Sequence, residues 1–386
     1  METRISQSNL TSRRLAFFDN LRVVLTVMVI AHHAGQAYGP TGAWWPVQET
    51  NRVMILDPFF MVNRSFGMSL FFLIGGYFAA QACARTGPLS FIKNRLRRLG
   101  LPLLGFSLLM IILQVFVFGL LNTGRLGALW PIDVIHLWFV QHLLLFSLGY
   151  ALWYAVRSRR GQVPIMPVRT PGYAHVLVFA IGLALVSIVV RIWYDIDEWI
   201  FLLGYIRIAF ADVPRDLGMF LVGALAYRNQ WVDRFPSKAG QIWLGAGLSL
   251  AALCYAYKLW WVDVVLVSDI SWGVIHALWE SLLCISMCIG LTILFRDRAN
   301  KQGPIAGEMS SSSFVVYMLH AFVVVAFQYL ALGLTASPML KYLLVTLITV
   351  PATFLLASLL RRPLRFVRHL VPGQRIQVSP SQAAGR

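Results

Sequence analysis

Arg22 and His33 stand eleven residues apart in a stretch that is otherwise largely apolar. On an α-helix that spacing puts them within about 20° of one face and about 16 Å apart along the axis. Asp19 lies one turn before Arg22, where it can pair with it, while His32 is rotated well off the shared face. A second set is Arg95 and Arg98, neighbours on one helical face in the run Phe91-Ile-Lys-Asn-Arg-Leu-Arg-Arg98. Guanidinium forks suit phosphate oxygens, although a basic stop at the end of a span leaves the same pattern. A third set is His136-Leu-Trp138-Phe139, with Gln141 and His142 behind it and Asp133 one turn ahead. Tyr317 and His320, three apart after the serine run 310–313, form a fourth, and His276 with Glu280 a fifth. Ionisable groups in apolar surroundings are costly, so they mark a catalytic site or a path for protons or substrate. An interfacial anchor pair and a hydrogen-bonded core histidine would account equally well for positions 22 and 33. No three His, Cys, Asp or Glu stand at a metal-binding spacing, and no metal is expected.

The elements that hold these groups follow from composition. The chain has 386 residues, 58% of them hydrophobic and only 13% charged, against about 45–50% and about 25% in soluble domains. That excludes a soluble globular enzyme, a disordered chain and a disulfide scaffold. The four cysteines, Cys83, Cys254, Cys284 and Cys288, sit in apolar contexts and read as packing residues. The expected fold is all-α, a polytopic membrane protein of about ten transmembrane helices. Apolar stretches divide at 21–39, 59–82, 99–121, 132–156, 173–193, 213–228, 241–261, 271–295, 310–332 and 339–360. The segment 194–213 gives no clear element. Arg22 and the two histidines interrupt the first stretch, which argues against a cleaved signal.

With ten spans both termini share one side. Most of the 33 Lys and Arg fall in the N-terminal segment, after the even-numbered spans and in the C-terminal tail, while the acids gather on the opposite segments. The positive-inside rule therefore predicts cytoplasmic termini. The division is a cytoplasmic segment 1–20, a membrane-embedded domain 21–360 and a basic cytoplasmic tail 361–386, its end expected to be disordered. The net charge of +17 then reflects topology and attraction to the lipid bilayer, and no nucleic acid is expected as a partner.

Taken together, the sequence resembles acyltransferase family 3 of integral-membrane enzymes. The resemblance rests on Arg22 and His33, on Arg95-x-x-Arg98, on the segment from Ser69 to Phe78 with Tyr77, on His136–Phe139 and on Tyr317-x-x-His320. It runs over about residues 13–370. Gly75 stands where the family commonly has serine. The run 136–139 is most similar to the branch of glucan-biosynthesis succinyltransferases. The resemblance implies transfer of an acyl group, of acetyl or succinyl class, from acyl-CoA as co-substrate to a hydroxyl of a carbohydrate or glycolipid acceptor, in a multi-pass protein of the cell (inner) membrane. Its motifs fall on His33 and Arg22, expected as catalytic residues together with Asp19, which the helix spacing sets to hold Arg22, and on Arg95 and Arg98, expected as the donor phosphate site. Tyr77, His136, Trp138, Glu280, Tyr317 and His320 are expected to shape the pocket or meet the acceptor. His33 would act as general base or as an acyl relay. Self-association into a homo-oligomer is left open. A secondary transporter or flippase is the alternative, in which the intramembrane His, Arg and Glu form a substrate path; no half-to-half similarity supports it.

Overall fold

The computed structural model describes residues 15–42, 44–113, 135–159, 168–261 and 269–370. Asp133, the segment before residue 15, the parts of the predicted third and fourth spans between 114 and 134, and the tail beyond 370 lie outside the described residues. Within them the chain is helical except for one two-stranded hairpin. The helices are α1 (Ala16–Gly35), α2 (Leu56–Thr86), α3 (Pro88–Arg95), α4 (Leu101–Leu113), α5 (Trp138–Arg159), α6 (Tyr173–Val190), α7 (Val213–Arg228), α8 (Trp231–Arg234), α9 (Ser237–Ala256), α10 (Asp269–Arg298), α11 (Pro304–Leu332) and α12 (Pro338–Leu370). The hairpin strands are β1 (Ile200–Leu202) and β2 (Ile206–Ile208), antiparallel with Ile200 opposite Ile208. They fill the segment that showed no element in the sequence.

Seven helices are long and apolar enough to cross a membrane among the described residues, against the ten expected. All ten apolar stretches do contain helix, but α1, α4 and α7 miss that standard. α4 reaches the edge of the described residues after 13 residues, α7 has only 16 with Arg215 and Asp216 inside it, and α1 carries Asp19, Asn20, Arg22, His32 and His33. α7 thus falls short by length, and α1, at 20 residues, because it carries polar groups. Side chains on α4, α6, α9 and α12, such as Leu104, Val178, Leu248 and Leu347, face outward. Each such side chain would cost about 1.5–3 kcal/mol if left in water, and hydrocarbon removes that cost.

Local chemistry sets the element ends. Gly87 takes φ +76, and its N–H caps α2 on the Cys83 carbonyl at 3.0 Å; a left-handed cap favours glycine. Pro88 then opens α3. A π turn at Leu96–Gly100 joins α3 to α4 and contains Arg97 and Arg98. α1 ends at Gly35 rather than at the expected 39, so His33 lies in its last turn. The chain then folds back over that end, with the Glu49 N–H on the Ala37 carbonyl and the Val53 N–H on the Tyr38 carbonyl.

α1 packs on α2, α10, α11 and α12, and α2 makes its broadest contact with α7. Two glycines allow that crossing: a Cβ on Gly76 would lie 1.9 Å from the Phe220 carbonyl oxygen, and one on Gly223 would lie 1.9 Å from that of Leu73. The two ends of the bundle differ in charge. At one end Asn20 bonds the Ala299 and Lys301 carbonyls, and Arg296 reaches the Val232 and Phe235 carbonyls. The segments gathered there are those the charge count assigned to one side. At the other end Lys341 pairs with Glu49, Lys258 with Asp57 and Arg64 with Asp197.

Gly76→Val or Gly223→Val forces the two backbones apart. Because overpacking alone costs about 1–3 kcal/mol and here the clash is with backbone, either change is expected to lower the melting temperature in detergent and the yield of monodisperse protein. Gly245→Ala, with nothing within 4 Å of its Cβ, should leave both unchanged.

Candidate active site

His33 is held from three sides at the end of α1. Gln328 of α11 donates its amide to the Ala34 carbonyl at 2.9 Å and, beside the Gln36 N–H, to the His33 carbonyl at 3.3 Å, so a side chain from a distant helix binds the end of α1. The Gln328 Oε1 accepts the Trp45 indole N–H at 2.6 Å, and the Trp45 ring lies 5.4 Å from the His33 ring. The loop after α1, the helix end and α11 therefore fix one imidazole. His32 points elsewhere, toward Phe60 and Gln36, as its rotation in sequence predicted.

The His33 Nδ1 lies 2.9 Å from the Val29 carbonyl oxygen and 3.4 Å from His320 Nε2. The His320 Nδ1 is 2.6 Å from the Tyr317 carbonyl oxygen. A carbonyl only accepts, so neutral His320 carries its proton on Nδ1 and offers a lone pair at Nε2. Both partners of His33 Nδ1 are then acceptors, which puts the His33 proton on Nδ1 and a lone pair on Nε2. These tautomers are assigned from hydrogen-bond partners. His136 lies on the other side of His320, with ring centroids 5.0 Å apart; its Nε2 is 3.1 Å from the Met318 carbonyl and its buried Nδ1 has no hydrogen-bond partner among the described residues. The Tyr317 hydroxyl donates to the His136 carbonyl. His33, His136, Tyr317 and His320, from three separate parts of the chain, thus form one cluster, with His33 its half-buried member.

Toward the other end of α1, Asp19 and Arg22 form the expected ion pair, and the Arg22 guanidinium lies over the Phe78 ring at 5.4 Å. Phe78 also meets Phe18, so the C-terminal half of α2 sits beside the start of α1. Arg95 and Arg98 follow at that end, on α3 and the π turn. Arg95 stacks on Phe91 at 5.0 Å, and Arg98 is exposed. Burial, and then the Arg98 charge beside it, pull the Arg95 guanidinium down to about 10. Two like charges held this close gain from an anion between them.

Three predicted residues lie away from the histidine cluster. Tyr77 packs among Phe18, Phe78 and Tyr227. Trp138 turns to His142 and Trp199, with the Arg207 guanidinium 4.2 Å from the Trp199 ring. Glu280 belongs to a buried charge network that sequence reasoning missed. It binds Arg215 and Arg191; Arg215 also reaches Asp212, Asp216 and Ser69; and Arg64 joins Asp212 to Asp197. His276 sits 3.4 Å from Arg191. The only signal was the presence of Arg64, Arg191 and Arg215 on the side where acids gather. The hairpin has a part as well: the Tyr205 and Arg207 carbonyls hold Gln141 and His142 at the start of α5. No group of three His, Cys, Asp or Glu suited to a metal occurs among the described residues.

The family model described as an acyltransferase domain matches residues 15–359. The chain belongs to acyltransferase family 3. That makes it a multi-pass membrane acyltransferase and favours acyl transfer over the transporter alternative. Among curated proteins it is similar to Glucans biosynthesis protein C of Salmonella paratyphi A, 25% identical over 261 residues, which are 64% of this chain and 67% of that one. The protein of the same name from Salmonella enteritidis PT4 is 26% identical over 264 residues, with the same coverage. No solved structure matches. All the clustered histidines of this acyltransferase, and its Asp19–Arg22 pair, fall inside the matched range.

Removing one partner from a buried ion pair costs about 3–5 kcal/mol, since the other charge stays behind unpaired. Glu280→Ala leaves Arg191 and Arg215 without their shared carboxylate. A large fall in melting temperature in detergent is expected, several times that of a surface control such as Glu198→Ala.

Proposed function

We propose that this acyltransferase moves an acyl group, of acetyl or succinyl class, from cytoplasmic acyl-CoA to a hydroxyl of a glucan or a related carbohydrate or glycolipid in the inner membrane, with His33 as general base. The observation that carries the reading is the state of His33: its Nδ1 is tied to two acceptors, and its Nε2 is left as a lone pair on a half-buried ring. The glucan class is taken from the names of the relatives. Ten spans with both termini in the cytoplasm complete the picture, placing the Arg22 end of α1 inside by the charge rule.

In this scheme the donor phosphates meet Arg95 and Arg98 beside Arg22, and Asp19 holds Arg22 in place. The rise of α1 from Arg22 to His33, about 16 Å, is comparable to the reach of a pantetheine arm, so the thioester carbonyl comes up to the imidazole. The acceptor hydroxyl oxygen attacks that carbonyl as its proton passes to His33 Nε2. The C–O bond forms, the C–S bond breaks, and the imidazolium returns the proton to the departing CoA thiolate. Trp138, Trp199 and the exposed Trp44 stand on the acceptor side, where indole faces suit sugar rings. Tyr77 and Glu280 support the helices around the site.

Membranes given labelled acyl-CoA donors, followed by mass analysis of the glycans, test the function directly. His33→Gln is expected to insert normally and to lose about 100-fold or more in transfer, the usual share of a general base. Near-normal turnover would remove His33 from the chemistry. Arg95→Ala and Arg98→Ala each remove a charge-assisted phosphate contact worth about 1.5–3 kcal/mol. Each should raise KM for acyl-CoA about tenfold or more with kcat little changed; an unchanged KM would leave the two arginines a topological role alone.

A further inference from the structure

His320 is completely buried, lies between two other imidazoles and has both ring nitrogens engaged by atoms whose polarity fixes its tautomer. A buried imidazole that served packing alone could be met by any hydrogen-bond donor or acceptor. This one has its Nδ1–H spent on the Tyr317 carbonyl and turns its Nε2 to His33. We propose that His320 is the positioning residue of the reaction: beside the Val29 carbonyl, which takes the His33 Nδ1–H at 2.9 Å, its Nε2 lone pair at 3.4 Å is the second, side-chain acceptor of that proton, orients the ring with its other nitrogen toward the substrate, and stabilises the His33 imidazolium once it has taken the hydroxyl proton. This rests on His33 as the base. The chain Tyr317 C=O, His320, His33 ends on a backbone carbonyl, and no carboxylate faces the pair among the described residues.

The proton stays on His33 between attack and departure of the thiolate, and His320 changes neither charge nor bonding, so the step needs no further reactant. Titratable groups around the pair are few. His136 faces His320 from the turn before α5, and Tyr317 precedes it on α11. His32 adjoins His33 on α1, with Arg64 of α2 acting on His32. α12 turns Lys341 to Glu49 and Tyr342 to Tyr38, and α10 keeps Glu280 and His276 on its arginines.

The experiment compares His320→Gln with His320→Leu in native membranes, each measured for kcat, KM and the pH profile of kcat. Gln can offer a carbonyl oxygen where Nε2 stands; Leu fills the space and accepts nothing. His320→Leu is expected to lower kcat about tenfold or more with KM for acyl-CoA unchanged, because the imidazolium loses an acceptor. Without that acceptor the charged form of His33 is less favoured, its proton leaves more readily, and the acid limb of kcat moves to lower pH. His320→Gln should recover most of the lost kcat and return the limb toward its original position. His320→Ile replaces Leu as the non-accepting variant should Leu fail to insert. Unchanged kcat in the non-accepting variant, or equal losses in both with an unmoved acid limb, overturns the proposal. His33→Gln in the same preparations separates the two claims: activity without His33 sinks the base itself, whereas dependence on His33 with indifference to His320 sinks this inference alone.

Discussion

A polar group inside a lipid-facing bundle has no water to fall back on, so each one must find its partner within the protein. Much of this architecture follows from that constraint. The end of α1 is an example. The turn after it caps the His33 and Gly35 carbonyls with backbone N–H groups, and Gln328 from a distant helix donates to the Ala34 and His33 carbonyls. The same Gln328 takes the Trp45 indole N–H, so one side chain binds a helix end to its covering loop. Held in that way, the His33 ring keeps the geometry a proton acceptor needs, because the backbone beneath it cannot fray.

The constraint also accounts for the second polar centre. Arg64, Arg191 and Arg215 meet Asp197, Asp212, Asp216 and Glu280 from α2, the turn after α6, α7, α10 and the loops beside the hairpin. Apart from the exposed Asp197, any one of these charges would be costly if isolated in a bundle interior. Together the three guanidinium groups and four carboxylates offset most of one another's charge and carry orientation, because guanidinium forks donate to carboxylates only along fixed directions. Ser69 belongs to this network, between Arg215 and Asp216. A few residues on, Gly76 and Gly223 let α2 and α7 touch backbone to backbone. Ion pairs and small residues thus act on the same crossing: the glycines allow the approach and the charges set its register.

The sequence disclosed the features that depend on short spacing. Arg22 with Asp19, Tyr317 with His320 and the turn of His32 away from His33 are all local, and helix geometry alone places them correctly. The apolar stretches gave the helices, though with shifted ends: α1 stops at Gly35 because the chain reverses there, and α12 runs on to Leu370. What stayed hidden was long-range pairing. Glu280 lies 65 residues from Arg215 and 89 from Arg191, and nothing in periodicity links them. The acids at 195–216 read as markers of sidedness, when three of them, Asp197, Asp212 and Asp216, are counter-charges to arginines. The hairpin was equally illegible, since Ile200–Leu202 and Ile206–Ile208 are too short to show an alternation.

The two centres divide the labour in a way their composition explains. The arginine–carboxylate network is fully ionic, and ionic contacts at low dielectric hold geometry strongly but respond poorly to a change of charge nearby. The histidine cluster is neutral in its resting hydrogen-bonding pattern and is built from imidazoles and backbone carbonyls, groups that can take up a positive charge and release it without losing their bonds. A site that must gain and lose one proton per turnover is better made from the second kind of material, and a frame that must not move from the first. The contact of α1 with both α2 and α11 connects the rigid frame to the imidazoles.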